Sequence, residues 1–183
     1  MKKIVAPILL FITALCSGVV ISLAVDEAEI SGFSKIDSST TNISLDNYDR
    51  FGAAIADIGD VNGDGTRDLA VGAIGDDDGD VTSSVTYYGA VYILFLTENG
   101  EVDETVIGED NGAASNGYTK ISQSSGDFEA TLVSDAYFGV DIAGIGDLNG
   151  DGVVDIAVGA HQDDDGGMNR GAVYIIFLDT DGT

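Results

Sequence analysis

The sequence predicts an all-β fold made of two tandem copies of one antiparallel sheet unit. Three observations predict it. Residues 51–79 (FGAAIADIGDVNGDGTRDLAVGAIGDDDG) align without gaps to residues 138–166 (FGVDIAGIGDLNGDGVVDIAVGAHQDDDG), with 20 of 29 positions identical. The run GAVYILFL at 89–96 recurs as GAVYIIFL at 171–178. Outside the first 24 residues there is no proline, and Gly and Asp-Gly punctuate strand-length apolar runs.

The elements follow in order. Lys2 and Lys3 precede an uncharged, mostly apolar stretch over 4–25, and Ser22-Leu23-Ala24 is a small-x-small cleavage site. Residues 1–24 are therefore predicted to be a helical signal peptide, or an uncleaved signal anchor. Either reading places the remainder outside the cytoplasm, secreted or at the cell surface, because the lysines stay inside. Cys16 is the only cysteine and falls in this segment. The exported part has no disulfide, so a bound metal is a fitting brace.

Ser34-Lys35-Ile36, followed by a polar stretch and Leu45, resembles Thr119-Lys120-Ile121 followed by a polar stretch and Leu132; both lead into Phe-Gly. The units are accordingly 34–118 and 119–183. Within the first, the polar stretch 35–45 is expected to be an outer strand. Phe51–Ile58, Leu69–Ala73 and Val91–Leu96 are expected to be inner strands, being short, apolar and β-branched or small. Residues 97–118 form an extended tail, read as a loop or short hairpin. Four short strands per unit describe a propeller blade. Two blades do not close a ring, so further blades are expected from a longer chain or an assembly.

The chain carries 32 Asp+Glu against 7 Lys+Arg, a net charge of −25. Such a surface repels phosphate backbones, which excludes nucleic acid as a partner. Disorder, the other reading of high charge, is excluded by the apolar runs and a hydrophobic content of 44%.

Many of the acids lie in a motif present twice, D-x-N-x-D-G-x-x-D. A hard divalent cation needs oxygen ligands converging on one point. In the first copy the side chains of Asp60, Asn62, Asp64 and Asp68 and the carbonyl of Thr66 are candidate ligands. In the second they are Asp147, Asn149, Asp151, Asp155 and the carbonyl of Val153. Gly65 and Gly152 allow the sharp turn. Two calcium ions are expected: a flexible oxygen cage suits calcium over magnesium, and the loops contain no Cys or His for zinc. The helix-flanked calcium hand needs Glu at position twelve, where this chain has Val71 and Val158, and a strand comes next instead of a helix. The two Asp-Asp-Asp-Gly runs, at 76–79 and 163–166, are expected to be solvated acidic turns, with a further cation site as the alternative.

Phe51-Gly52, the loop Asp60–Asp68, Val71-Gly72-Ala73 and Gly89-Ala90-Val91-Tyr92 together resemble the FG-GAP repeat of integrin α-subunit β-propellers. Phe138-Gly139, Asp147–Asp155, Val158-Gly159-Ala160 and Gly171–Tyr174 resemble it equally. The proline of the Gly-Ala-Pro element is replaced by Ile74 and His161. The resemblance implies two four-stranded antiparallel blades of an incomplete propeller, with calcium held between the first two strands of each. It also implies a non-catalytic module for adhesion or protein–protein interaction, with an extracellular protein or surface ligand as partner. The alternatives are an accessory fragment of a secreted hydrolase and a purely structural surface repeat. His161 is the only histidine, and Ile74 replaces it in the first copy, so no nucleophile–base pair stands out.

Overall fold

The structure, a computed structural model, describes residues 30–78, 86–110 and 113–183. The predicted signal segment lies outside the described residues. The chain divides at Phe33/Ser34 into two units. Of the first only residues 30–33 are described, without regular structure; the second, Ser34–Thr183, holds all the strands.

Among the described residues every regular element is a strand. β1 (Phe51–Gly59), β2 (Asp68–Ala73) and β3 (Ala90–Leu94) form an antiparallel meander; β4 (Ile107–Asp110) and β5 (Ala113–Asn116) form a separate hairpin. β6 (Tyr118–Ile121) then pairs with β3, giving a first sheet in the order β1-β2-β3-β6. β7 (Phe138–Gly146), β8 (Asp155–Ala160) and β9 (Ala172–Ile176) form a second, three-stranded sheet. The 97–118 tail thus carries the expected hairpin.

Two expectations are corrected. Residues 35–45 do not form a strand. The Asp37 carboxylate accepts hydrogen bonds from the Ser39 and Thr40 amides at 2.8 and 3.0 Å, closing a turn that competes with extended pairing. The segment instead lays Ile36, Ile43 and Leu45 on the face of the first sheet that carries Val71, Tyr92 and Leu94. The fourth strand of that sheet comes from Tyr118–Ile121, which in sequence opens the second repeat. The second sheet has three strands among the described residues, not four.

Both copies of Phe-Gly begin their sheets in the same way. Register shifts follow Phe51 and Phe138, and Gly52 and Gly139 there hold φ of +90° and +87°. Such bulges re-aim the strand, and glycine adopts this backbone without strain.

The two sheets stack through a shared apolar cluster. Ala70, Val91, Ile93, Phe95 and Ile121 come from the first side, and Leu132, Phe138, Ile142, Ile156 and Val158 from the second. At its centre backbone meets backbone. A Cβ built on Gly72 would lie 2.1 Å from the Gly139 carbonyl oxygen, and one on Gly89 would lie 2.1 Å from that of Phe138. The Phe138 amide donates to the Tyr88 carbonyl at 2.9 Å. The Phe-Gly of the second repeat therefore seats on the Gly-Ala elements of the first.

A buried ionic brace ties β6 to the first sheet. Lys120 is 5% exposed, and its ammonium lies 2.9 Å from Asp76 Oδ1 and 3.2 Å from Asp78 Oδ1. Burial pulls the lysine down most strongly of the single influences, but the aspartates outweigh it, and it ends above its ordinary value. Asp49, buried nearby, accepts the Asp46 amide at 2.6 Å. Burial first, then the charges of Asp76 and Asp46, push it up to about 6, while the Asp46 amide and the Lys120 charge oppose the rise.

Two outcomes are expected. Gly72→Ala overpacks the contact between sheets and costs about 2 kcal/mol. Gly159→Ala, the same repeat position, meets nothing closer than 3.5 Å and stays within about 0.5 kcal/mol. Chemical denaturation of both variants checks this, and equal losses would contradict it. Asp49 is expected to make the fold less stable as pH rises. Its folded carboxyl titrates near 6 against 3.8 for the free group. Between those values the folded chain holds more protons, so this group's contribution is full below about 4 and is lost as pH climbs through about 6. Wild type should therefore gain on Asp49→Asn when both are denatured at pH 5 instead of pH 7; a pH-independent difference would exclude this.

Candidate metal centre

The two acidic loops are the β1–β2 and β7–β8 connections, and they fold alike. Asp60 receives the Asp64 amide on Oδ1 at 3.0 Å and the Gly65 amide on Oδ2 at 2.9 Å. Asp147 receives the Asp151 and Gly152 amides at 3.1 and 2.9 Å. Asn62 Oδ1 and Asn149 Oδ1 accept from Asp64 and Asp151 at 3.0 and 3.1 Å. Asp64 Oδ1 accepts the Thr66 amide at 2.7 Å, and Asp151 Oδ1 that of Val153 at 2.8 Å. These are nested Asx turns, in which carboxylates stand in for the backbone acceptors that a tight loop lacks. Gly65 and Gly152 close them at φ of +95° and +97°. The Thr66 amide, the largest influence, holds Asp64 below its ordinary value.

Asp68 and Asp155 differ from the other acids. Both are wholly buried at the first position of β2 and β8. Asp68 accepts the Val61 amide at 2.8 Å and the Leu96 amide at 3.1 Å. Asp155 accepts those of Leu148 and Leu178 at 2.7 and 3.2 Å. Each clamps the start of its acidic loop to the end of its third strand. Burial raises Asp68 above the ordinary range even though both amides pull the other way.

The donor chemistry of each loop is that of a hard cation: three carboxylates, an amide oxygen and backbone carbonyls. Among the described residues no ion pair reaches Asp60, Asp64, Asp147 or Asp151. The side chains are turned onto the loop's own amides, and among the described residues no group of three or more acidic, His or Cys side chains converges at ligand spacing. Asp147 Oδ1 accepts two amides, from Gly150 at 2.6 Å and Asp151 at 3.1 Å, while both oxygens of Asp60 accept one each and keep a second lone pair. The first loop also carries a surface pair, Arg67 to Asp57 at 2.6 Å. The second has Val154 and Gly144 at those positions.

The Asp-Asp-Asp runs are solvated only in part: Asp164 and Asp165 are exposed as expected, but the first aspartate of each run is not. Asp76 and Asp163 are buried, and each accepts a phenolic hydrogen bond, from Tyr92 at 2.9 Å and from Tyr174 at 2.7 Å. Their other oxygens accept the Asp78 and Asp165 amides at 2.9 Å each. The first run faces a cavity of about 70 Å³ lined by Ser44, Asp46, Asp49, Asp110 and Lys120. This pairing was missed in sequence, although the signal was present: both repeats place a tyrosine two residues into the third strand. The His161 ring lies tilted against that of Tyr137, with centroids 5.3 Å apart.

Comparison with known proteins fits this geometry. The FG-GAP repeat model matches residues 138–176, which run from the start of β7 to the end of β9. The chain is 34% identical over 125 residues to integrin alpha-4 of Xenopus laevis, covering 68% of this chain and 9% of that protein. It is 36% identical over 112 residues to integrin alpha-2 of Mus musculus, covering 61% and 8%. It is 36% identical over 117 residues to integrin alpha-E of Mus musculus, covering 62% and 8%. The chain thus spans less than a tenth of the length of these relatives. Residues 138–176 are thus an FG-GAP repeat by this match, and about two thirds of the chain is similar to integrin α-subunits.

Proposed function

We propose that the chain is an exported, calcium-stabilised propeller module for cell-surface adhesion or protein–protein interaction, without catalytic activity of its own. The single observation that carries the reading is the repetition of one loop. Two nine-residue acidic turns share a common set of hydrogen bonds, at the same place in two stacked sheets, with no cationic side chain among the described residues paired to Asp60, Asp64, Asp147 or Asp151. Repeated loops of this donor set are better suited to a structural ion than to chemistry. The integrin names of the relatives supply the adhesion part, and the apolar leader at 1–24 supplies export.

In this reading Asp60, Asn62, Asp64, Asp68 and the Thr66 carbonyl hold one ion. Asp147, Asn149, Asp151, Asp155 and the Val153 carbonyl hold the other. Bound calcium supplies neutralising charge at the turn. The chain's own part is to present the oxygens: Asp68 and Asp155 are fixed by two amides each, and Asp64 and Asp151 are held on the Thr66 and Val153 amides of their own loops. The repeats at 34–118 and 119–183 then act as two calcium-braced units whose binding surfaces face an extracellular partner.

Calorimetry tests the proposal. Binding to the folded state alone stabilises by about 2.7 kcal/mol at a hundredfold excess over Kd. The melting temperature should rise with calcium and fall with chelator, and titration should show two sites. Asp64→Ala with Asp151→Ala should remove most of the calcium effect. A melting temperature indifferent to chelator would leave the loops as turns only.

A further inference from the structure

Among the described residues the first sheet has four strands and the second three, and the sequence of the first sheet's fourth strand occurs once more in a segment that is not a strand. β6 completes the first sheet in the register Val91↔Ile121, Tyr92↔Lys120, Ile93↔Thr119 and Leu94↔Tyr118. Its sequence, Gly117-Tyr118-Thr119-Lys120-Ile121, recurs as Gly32-Phe33-Ser34-Lys35-Ile36. This earlier copy pairs with no strand among the described residues. Phe33 is 92% exposed, and Lys35 is held at the surface by Asp37, two residues away. β9 repeats β3 residue for residue but for Ile176 in place of Leu94, and among the described residues it is a sheet edge.

We propose that the open edge of β9 takes the segment Gly32–Ile36 of a second copy of this chain as its fourth antiparallel strand. The register is Val173↔Ile36, Tyr174↔Lys35, Ile175↔Ser34 and Ile176↔Phe33.

Apolar exposure identifies the face. Val91, Ile93 and Phe95 are 0% exposed because the second sheet covers them, whereas their counterparts Val173, Ile175 and Phe177 are 71%, 47% and 54% exposed. At the other end Ile55 is 64% exposed, while its counterpart Ile142 is buried between the sheets. The two open sets are the counterparts of the two sets that already bury each other within the chain. A second copy's first sheet can therefore stack on β7–β9 as β7–β9 stack on β1–β3.

Charge identifies the strand. In the first sheet the buried Asp76 is met by Lys120, carried on the added strand. Asp163, the counterpart of Asp76, is equally buried and equally bonded to its tyrosine, but among the described residues no lysine meets it. Lys35 stands at the matching position of the added strand. Only seven Lys and Arg residues are present in the chain, and two of them occupy the same place in this five-residue repeat.

The chain's own Gly32–Ile36 does not serve β9. Ile36 packs on the Tyr92 face of the first sheet, and the second sheet lies against the opposite face, with Val91 and Ile93. The contact is head-to-tail, joining two different surfaces, so it propagates around a ring or along a filament and does not stop at a two-fold dimer. It does not depend on the calcium reading, because the paired strands lie outside the acidic loops.

Disulfide trapping in the full chain tests it. In a Cys16→Ser background, a Ser34→Cys chain is mixed with an Ile175→Cys chain and oxidised. A linked heterodimer should form, at least about tenfold faster than for Asp37→Cys mixed with Ile175→Cys, the rate reporting a tenfold difference in contact. In sedimentation the wild type should self-associate, Lys35→Arg should retain this, and Lys35→Glu should weaken it about tenfold. Lys35 is 71% exposed in a single copy, so its substitution leaves the fold intact. A chain that stays monomeric at its highest soluble concentration overturns the proposal. So does on-register cross-linking no faster than off-register, which would mean unspecific adhesion of apolar surface. If a longer chain with a further repeat protects Ile175→Cys from linking, the occupant is that repeat and the second copy is excluded.

Discussion

The approach of one backbone to another between the two sheets is the constraint from which most of the architecture follows. Gly72 and Gly89 in the first sheet lie so close to the Phe138 and Gly139 carbonyls that no side chain fits between them. That contact needs glycine on both sides, which accounts for Phe-Gly opening one repeat and Gly-Ala closing the strands of the other. It also fixes how Phe138 enters the core, stacked edge-on to Tyr174 at 5.5 Å and tilted against Phe128 at 5.1 Å. Where backbone approaches this closely, the surrounding apolar residues are placed in one register only, and the cluster from Ala56 to Leu178 is continuous across both repeats. The repeat is conspicuous in sequence because the same contact must be able to recur.

A second constraint explains how an acidic chain folds at all. Many of its aspartates are used as acceptors for its own backbone. Asp60, Asp64, Asp147 and Asp151 close turns, while Asp68 and Asp155 join a loop to a distant strand. Asp76 and Asp163 anchor a tyrosine. A buried carboxylate is costly unless its oxygens are satisfied; Asp68, Asp76, Asp155 and Asp163 are each met by at least two donors, whereas the buried Asp49 accepts the Asp46 amide and is pushed up in pKa. The repeated acids are therefore structural before any ion is considered, and an ion would add charge compensation to turns already formed. This also explains why the loops carry glycine at Gly65 and Gly152: the acceptor must reach an amide four or five residues ahead.

The inner strands were legible in sequence because Leu69–Ala73, Val91–Leu96 and their second copies are apolar runs bounded by glycine. The acidic loops were legible for the same reason, being fixed spacings repeated. The outer strand was not. Residues 35–45 and Tyr118–Ile121 are both polar, and no local pattern says which sheet a polar strand will join; that depends on an edge provided by β3, on the far side of the 97–118 tail. The burial of Asp76 has a signal only outside its own segment, in the tyrosine that both repeats place in the third strand. Three consecutive aspartates read as solvated until the Tyr92 hydroxyl, from another strand, is placed against one of them.

The offset between sequence repeat and sheet has a consequence for cooperativity. Because β6 belongs to the second repeat in sequence and to the first sheet in space, the first repeat does not complete its sheet alone. Lys120 sharpens the dependence: it carries the charge that offsets Asp76 and Asp78, and it is followed directly by the segment that leads to Phe138 at the interface. Loss of pairing at β6 would leave two buried or half-buried carboxylates without their cation, a far larger penalty than the loss of a surface pair. Sheets linked in this way fold and unfold together, since the strand that finishes one is covalently the start of the next. A repeat array built on simple stacking would be stabilised by neighbouring interfaces alone; here strand exchange adds hydrogen bonds and a buried ion pair to that coupling, so each repeat is conditional on the one beside it.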